Sequence, residues 1–144
     1  MDRASKQLSD FNRKVIQYQD ECFTLAYYLT GDDTLAGRAV QQAILKTFQS
    51  LSGEECDLRV ELYRWVIYFC KDISARTLKR PKTFDAVWNS IYSLKVEERL
   101  AIVLIDILGL TYEDAALAAS RPVQTLGSWL AQARCRLASE LAVA

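Results

Sequence analysis

The chain has 144 residues, 51% of them apolar, with 18 basic and 18 acidic side chains and no histidine. That length and apolar content suit one domain or two small ones with a real core, and five Gly and two Pro argue against an all-β architecture with many turns. Charge balances in both halves, 12 basic against 11 acidic over residues 1–80 and 6 against 7 over 81–144, so neither half is the polycation that non-specific nucleic-acid binding by counterion release requires, although a neutral average permits a local basic patch.

The apolar pattern predicts an all-α fold. Phe11, Val15, Tyr18, Cys22, Leu25, Ala26 and Leu29 recur every three or four residues, the period of one helix face. Gly31 can end this helix in the left-handed conformation, and Asp32 or Asp33 can cap the next. Leu35, Ala36, Ala39, Val40, Ala43, Ile44, Thr47 and Leu51 carry the period to Ser52-Gly53. Asp57 is the expected cap of a third helix through Leu62, Trp65, Val66, Phe69, Ile73 and Leu78. These three helices form a predicted three-helix bundle, with a domain boundary at residue 80.

Lys79-Arg80-Pro81-Lys82 interrupts the pattern, because proline disfavours helix at the residue before it. Residues 81–84 are read as a short linker. Phe84, Trp88 and Tyr92, spaced i, i+4, i+8, open a second unit over 85–144 and are expected in the core between the two units. Val96–Leu108 is an expected buried helix ending at Gly109. Thr111 and Asp114 form an expected capping box for a short helix to Ala119. Ser120-Arg121-Pro122 is the turn into a last helix, Val123–Leu141, with Val123, Leu126, Leu130, Ala133, Leu137 and Leu141 inward. The second unit is thus a four-helix unit containing a helix-turn-helix.

Without histidine the commonest general base and zinc ligand are missing, and no nucleophile-base pair, phosphate loop or converging carboxylate pair is present. No enzyme, cofactor, metal or small-molecule substrate is expected. Cys22, Cys56, Cys70 and Cys135 are irregularly spaced and are read as buried free thiols of a cytoplasmic protein. The polar N-terminus lacks the apolar core of a signal peptide. The longest apolar run, Leu100–Ile105, is too short to span a bilayer.

The two units in this order resemble regions 2 and 4 of the sigma-70 family, in size its short extracytoplasmic-function group. LAYYLTGDDTLAGRAVQQAIL (Leu25–Leu45) is similar to the family's helix, TGD turn and A-E-D-L-V-Q-E helix. LYRWVIYFCKDISARTLKR (Leu62–Arg80) resembles its W-L-x-x-I-A-x-N-x-x-x-D-x-x-R helix. The segment from Leu94 resembles L-P-x-x-x-R … G-L-S-x-x-E-I-A … V-P-x-G-T-V-K-S-R-L-x-R-A-R. The resemblance implies that the first unit binds RNA polymerase core and melts and reads promoter DNA, and that the second reads an upstream promoter element in the major groove.

It further implies a polymerase-binding face at Arg38, Gln41, Gln42 and Leu45. A promoter-strand cluster falls at Trp65, Lys71, Arg76, Lys79 and Arg80, and a recognition helix presents Gln124, Thr125, Ser128, Gln132, Arg134 and Arg136. Charged family positions are altered, however. Gly37-Arg38 replaces Glu-Asp, and Gly127, Trp129 and Gln132 replace Lys and two Arg. Loss of three phosphate contacts lowers the salt slope of DNA binding by about 2.7. Trp129 lies about 60° from the centre of the inner face and is a candidate protein-interface anchor. A second expectation follows: a sigma-like mimic that binds an anti-sigma factor without reading DNA.

Overall fold

Among the described residues, Gly31, Asp32, Asp57 and Thr111 each mark a helix end by their own chemistry. In the computed structural model, which describes residues 3–50, 57–76 and 86–143, α1 (Arg3–Thr30) ends where Gly31 takes φ 69°. α2 (Asp33–Ser50) starts beneath Asp32, whose Oδ1 accepts from the Leu35 N–H at 2.9 Å. α3 (Leu58–Arg76) is capped by Asp57, which accepts from the Arg59 and Val60 N–H groups at 3.1 and 3.4 Å. The three helices pack against one another as the expected bundle.

The second unit comprises α4 (Ala86–Ser93), α5 (Val96–Ala101), α6 (Tyr112–Ala119) and α7 (Val123–Val143). No strand occurs among the described residues, and the all-α reading holds. One element departs from it. The expected regular helix to Leu108 becomes a π-helical turn over Ile102–Ile107, closed by Leu108 N–H to the Val103 carbonyl at 2.8 Å and Leu110 N–H to that of Leu104 at 3.0 Å. Glu98 to Leu104 are all buried, seven consecutive positions that wrap further around than one α-helical stripe.

Gly109, at φ 74°, follows the π turn. Thr111 Oγ1 accepts from the Asp114 N–H at 3.1 Å, so the forward half of the expected capping box is present. Among the described residues the return bond from Asp114 is not; the bond of that kind runs instead from the Lys95 N–H to Glu98 Oε1 at 3.3 Å. Ser120, not a glycine, takes the left-handed φ of 55° after α6.

Buried side chains of both units form one cluster. α6 packs on α3, and α5 and the π turn pack on α1. Leu25, Leu62, Leu104, Leu126 and Leu130 are all under 2% exposed, and burial of each contributes about 1.5–3 kcal/mol. Two ends of the expected α7 stripe miss the core: Val123 and Leu141 are 38% and 40% exposed, because α7 runs past the elements that cover its middle. Cys22 and Cys70 are buried free thiols as expected, but Cys135 is exposed, since it falls on the outer face of α7. Cys56, Phe84, the 81–84 linker and the boundary at residue 80 lie outside the described residues.

Arg99 has 0% exposure. Its Nη1 reaches the Tyr92 carbonyl at 3.5 Å, its guanidinium lies 5.5 Å from the Tyr92 ring centre, and Nε and Nη2 have no acceptor. Burial pulls its pKa down from the ordinary arginine value. A buried charge with so few partners costs more desolvation than it regains, and apolar replacement of such groups is commonly neutral or stabilising by 1–4 kcal/mol. Arg99→Met is therefore expected to raise the thermal midpoint, by about 2–4 °C for each kcal/mol gained. Thermal circular dichroism checks this; a fall of several degrees refutes it.

Candidate functional site

The outward side of α2 is set by the inward one. Ala36, Ala39, Val40, Ala43 and Thr47 fill the bundle, so Arg38, Gln41, Gln42 and Leu45 stand in solvent, Leu45 at 58% exposure. The four expected polymerase-facing residues thus share one open helix face. Gly37 sits beside them with nothing within 4 Å of where a Cβ would stand.

Trp65 on α3 is half-buried, with Lys46 Nζ 5.4 Å from its ring centre and the Tyr68 ring at 5.4 Å in edge contact. Its Nε1 is buried without an acceptor. Lys71 is exposed one turn beyond Tyr68. Of the expected basic cluster, the structure brings Trp65 and Lys71 together. Arg76 contributes its backbone to the end of α3, while Lys79 and Arg80 lie outside the described residues. Trp65, Tyr68 and Lys71 form one wall of a groove of about 370 Å³, with Ala119, Arg121 and Trp129 opposite. Trp129 is half-buried and turned into this groove.

The recognition face of α7 is open: Gln124, Ser128 and Gln132 are exposed and Thr125 is half-buried. Its two cations are engaged within the molecule. Arg134 makes two bonds to Asp106, at 2.7 and 3.1 Å, and this carboxylate raises its pKa further. Arg136 Nε lies 2.9 Å from Glu98 Oε2, close enough for charge pairing but without the alignment of a hydrogen bond. Glu98 is 1% exposed, so Arg136 is the countercharge of a buried acid. Arg136 thus fastens α7 to α5, and Arg134 fastens it to the π turn.

Residues that the sequence did not single out join the two units. Arg59 donates Nε–H to Glu21 Oε2 and to Tyr63 Oη, each at 3.1 Å, and Nη2–H to the Leu108 carbonyl at 2.6 Å. The Tyr63 hydroxyl donates to the same Glu21 oxygen. One guanidinium thus connects α1, α3 and the end of the π turn. At the other end of the seam, the Tyr92 hydroxyl donates to the Tyr27 carbonyl at 2.7 Å, and Trp88 stacks on Tyr28 at 4.2 Å with 1° between planes. Trp88 and Tyr92 therefore sit between the units as expected. The aromatic spacing signalled the second contact; nothing local in the sequence signals the first. Among the described residues no helix is long and apolar enough to cross a membrane.

A three-helix bundle joined to a helix-turn-helix unit, with the α2 and α7 faces open, is an arrangement shared with solved sigma-factor structures. The chain is similar to the sigma factor RpoE of Bartonella quintana, co-crystallised with the anti-sigma factor NepR, at 21% identity and a TM-score of 0.78 over 93% of this chain and 98% of that one. It is likewise similar to CnrH in complex with the cytosolic domain of CnrY, at 18% identity and a TM-score of 0.78 over 92% and 88% of the two chains. No protein-family model and no curated protein matches the sequence.

Two predictions follow from this geometry. Gly37 and Gly127 are mid-helix glycines with open space where a Cβ would stand, so Gly37→Ala and Gly127→Ala should each stabilise the fold by about 0.5–1 kcal/mol, read by urea denaturation. Burial pushes the Cys22 and Cys70 thiols up to about 12 and raises the Tyr63 and Tyr92 hydroxyls. The unfolded chain therefore releases these protons first as pH rises. Stability from these groups is complete below about pH 8.5, the ordinary thiol value, and falls as pH climbs toward 12. Thermal midpoints between pH 7 and 11 should drop above pH 9; a flat profile contradicts this.

Proposed function

We propose that this chain is a sigma-type transcription initiation factor of the extracytoplasmic-function kind, acting in the bacterial cytoplasm. It binds RNA polymerase core through the α2 face at Arg38, Gln41, Gln42 and Leu45, and promoter DNA through Trp65 and Lys71 and through the α7 face. The observation that carries this reading is the pairing, in sequence order, of an open bundle face with an open helix-turn-helix face on a sigma-factor fold. Gln, Ser and Thr at Gln124, Thr125, Ser128 and Gln132 can contact base edges in a major groove. Tethering to polymerase compensates in part for missing phosphate contacts, by raising the effective concentration of α7 at the DNA. The role is a binding one, without catalytic chemistry of its own.

A specific observation favours a second reading. Between Val123 and Ala133 α7 carries no Lys or Arg, and Arg134 and Arg136 are paired with Asp106 and Glu98. Phosphate contacts fix a helix in the groove, and this helix has no uncommitted cation to make them. In this reading the chain keeps the fold and binds an anti-sigma factor, as RpoE binds NepR, without reading DNA. Arg38 supports it too, because a cation in place of an acid opposes the original partner of a charge-matched interface.

Pull-down from its own cell extract at low salt separates the two. The first reading expects core polymerase to be captured, and Leu45→Asp to weaken that capture at least ten-fold, about 1.4 kcal/mol, with helix content unchanged. Recovery of a small helical protein without polymerase supports the second reading and removes the first.

A further inference from the structure

We propose that the groove between α3 and the second unit is a binding site for a small flat aromatic acid, an apolar ring system carrying one carboxylate. The proposal is independent of the polymerase and DNA readings. The groove's volume of about 370 Å³ falls at the lower end of the ~300–1,000 Å³ typical of small-molecule sites. Protein interiors are otherwise close-packed, with few voids larger than a water. The space exists because α6 runs out through Ala118 and Ala119 into Ser120, and these small side chains do not fill the gap opposite the rings of α3.

The lining is graded from apolar to charged. Leu29, Cys70, Leu100 and Ala118 are all buried and form the floor. The walls carry rings: Trp65 and Trp129 are half-buried, and Tyr68 stands in edge contact with Trp65 and is 62% exposed. Aromatic surface of this kind suits a flat ring, which gains burial and stacking together. Of the described lining residues, only Trp65 has a buried polar side-chain atom without a partner, its Nε1. An unsatisfied buried donor is costly, and a ligand acceptor relieves it.

Charge selects the sign of that acceptor. Arg64, Lys71 and Arg121 border the groove against one acid, Glu97, in a chain whose formal net charge is zero. Arg64 is shared with Glu61 at 3.6 Å, and Arg121 donates to the neighbouring Ser120 carbonyl at 3.1 Å. Neither Lys71 nor Arg121 has an acidic partner among the described residues. An anionic end is therefore favoured at the rim. The body is apolar rather than a nucleoside, because no floor side chain offers a sugar hydroxyl a strong hydrogen bond.

The test titrates the full chain with β-naphthylacetate by calorimetry, with the tryptophan Nε1–H signals followed by NMR. Saturable one-to-one binding with a Kd below about 1 mM is expected. The signals of Trp65 and Trp129 should move, and that of Trp88, which does not line the groove, should stay. The neutral β-naphthylacetamide should bind about five-fold more weakly or worse, having lost the charge-assisted contact. Arg121→Gln should weaken the acid about three-fold or more and leave the amide unchanged, a split that a merely structural role does not produce. Ala119→Phe, which fills the groove, should remove binding. Absence of saturable binding, equal affinity for acid and amide, or movement of the Trp88 signal in place of the other two overturns the proposal. If Ala119→Phe loses its helical circular dichroism, Tyr68→Leu decides: weaker binding of the acid supports the site and unchanged binding overturns it. An oligothymidylate of about 12 nucleotides, within the span of single-strand sites, that displaces the probe and binds more tightly makes the groove a strand site and overturns the assignment.

Discussion

The arrangement of the whole chain depends on one guanidinium. Arg59 sits two residues after the Asp57 cap, so the capping of α3 also fixes where its side chain begins. From there it satisfies a carboxylate on α1, a hydroxyl on α3 and a carbonyl at the end of the π turn. Hydrogen bonds to charged groups contribute about 1.5–3 kcal/mol when partly shielded from water, and three around one planar fork also fix orientation. The bond to Leu108 matters most, because the following residues set Gly109, Thr111 and hence the start of α6. A bundle contact thus determines where the helix-turn-helix begins.

The π turn is the complement of that contact. Seven successive buried positions from Glu98 to Leu104 demand a wider face than an α-helix provides, and one extra residue in the turn supplies it. π turns often lie where a helix is adapted to function. Here the i−5 bond from Leu108 to Val103 leaves the Leu108 carbonyl directed at Arg59. Burial within the second unit and docking onto the first are therefore met by the same local distortion.

Much of this fold can be read from the sequence, because its local rules are strong. Gly31, Asp32 and Asp57 end and start helices by their own chemistry, and the apolar period identifies Leu25, Ala36, Leu62 and Leu130 as core. The α2 and α7 faces follow from the same period, and the structure finds their polar residues in solvent. What could not be read depends on tertiary register. Nothing near Arg59 in the chain announces Glu21 or Leu108, which are 38 and 49 residues away. Nothing near Arg134 announces Asp106, 28 residues away. Nothing in the local sequence marks Arg99 as fully buried, and the π turn reads as ordinary helix because periodicity cannot count an inserted residue. Cys135 is exposed for a related reason: cysteine chemistry argues for burial, but position on α7 decides.

The same register explains the charge deficit of the helix-turn-helix. Residues 86–143 hold five basic side chains, Lys95, Arg99, Arg121, Arg134 and Arg136. Arg99 is buried, Arg134 is bidentate with Asp106, and Arg136 neutralises the buried Glu98. Lys95 and Arg121 are left exposed, and only Arg121 flanks α7. DNA affinity scales with the number of phosphates neutralised, so cations used to hold α7 in place are withdrawn from groove binding unless Asp106 and Glu98 release them. Releasing Arg136 would strand an acid that is 1% exposed, which is far costlier than releasing Arg134 from a half-open pair. If α7 does meet DNA, Arg134 is the cation that can turn to phosphate, and Arg136 stays with the fold.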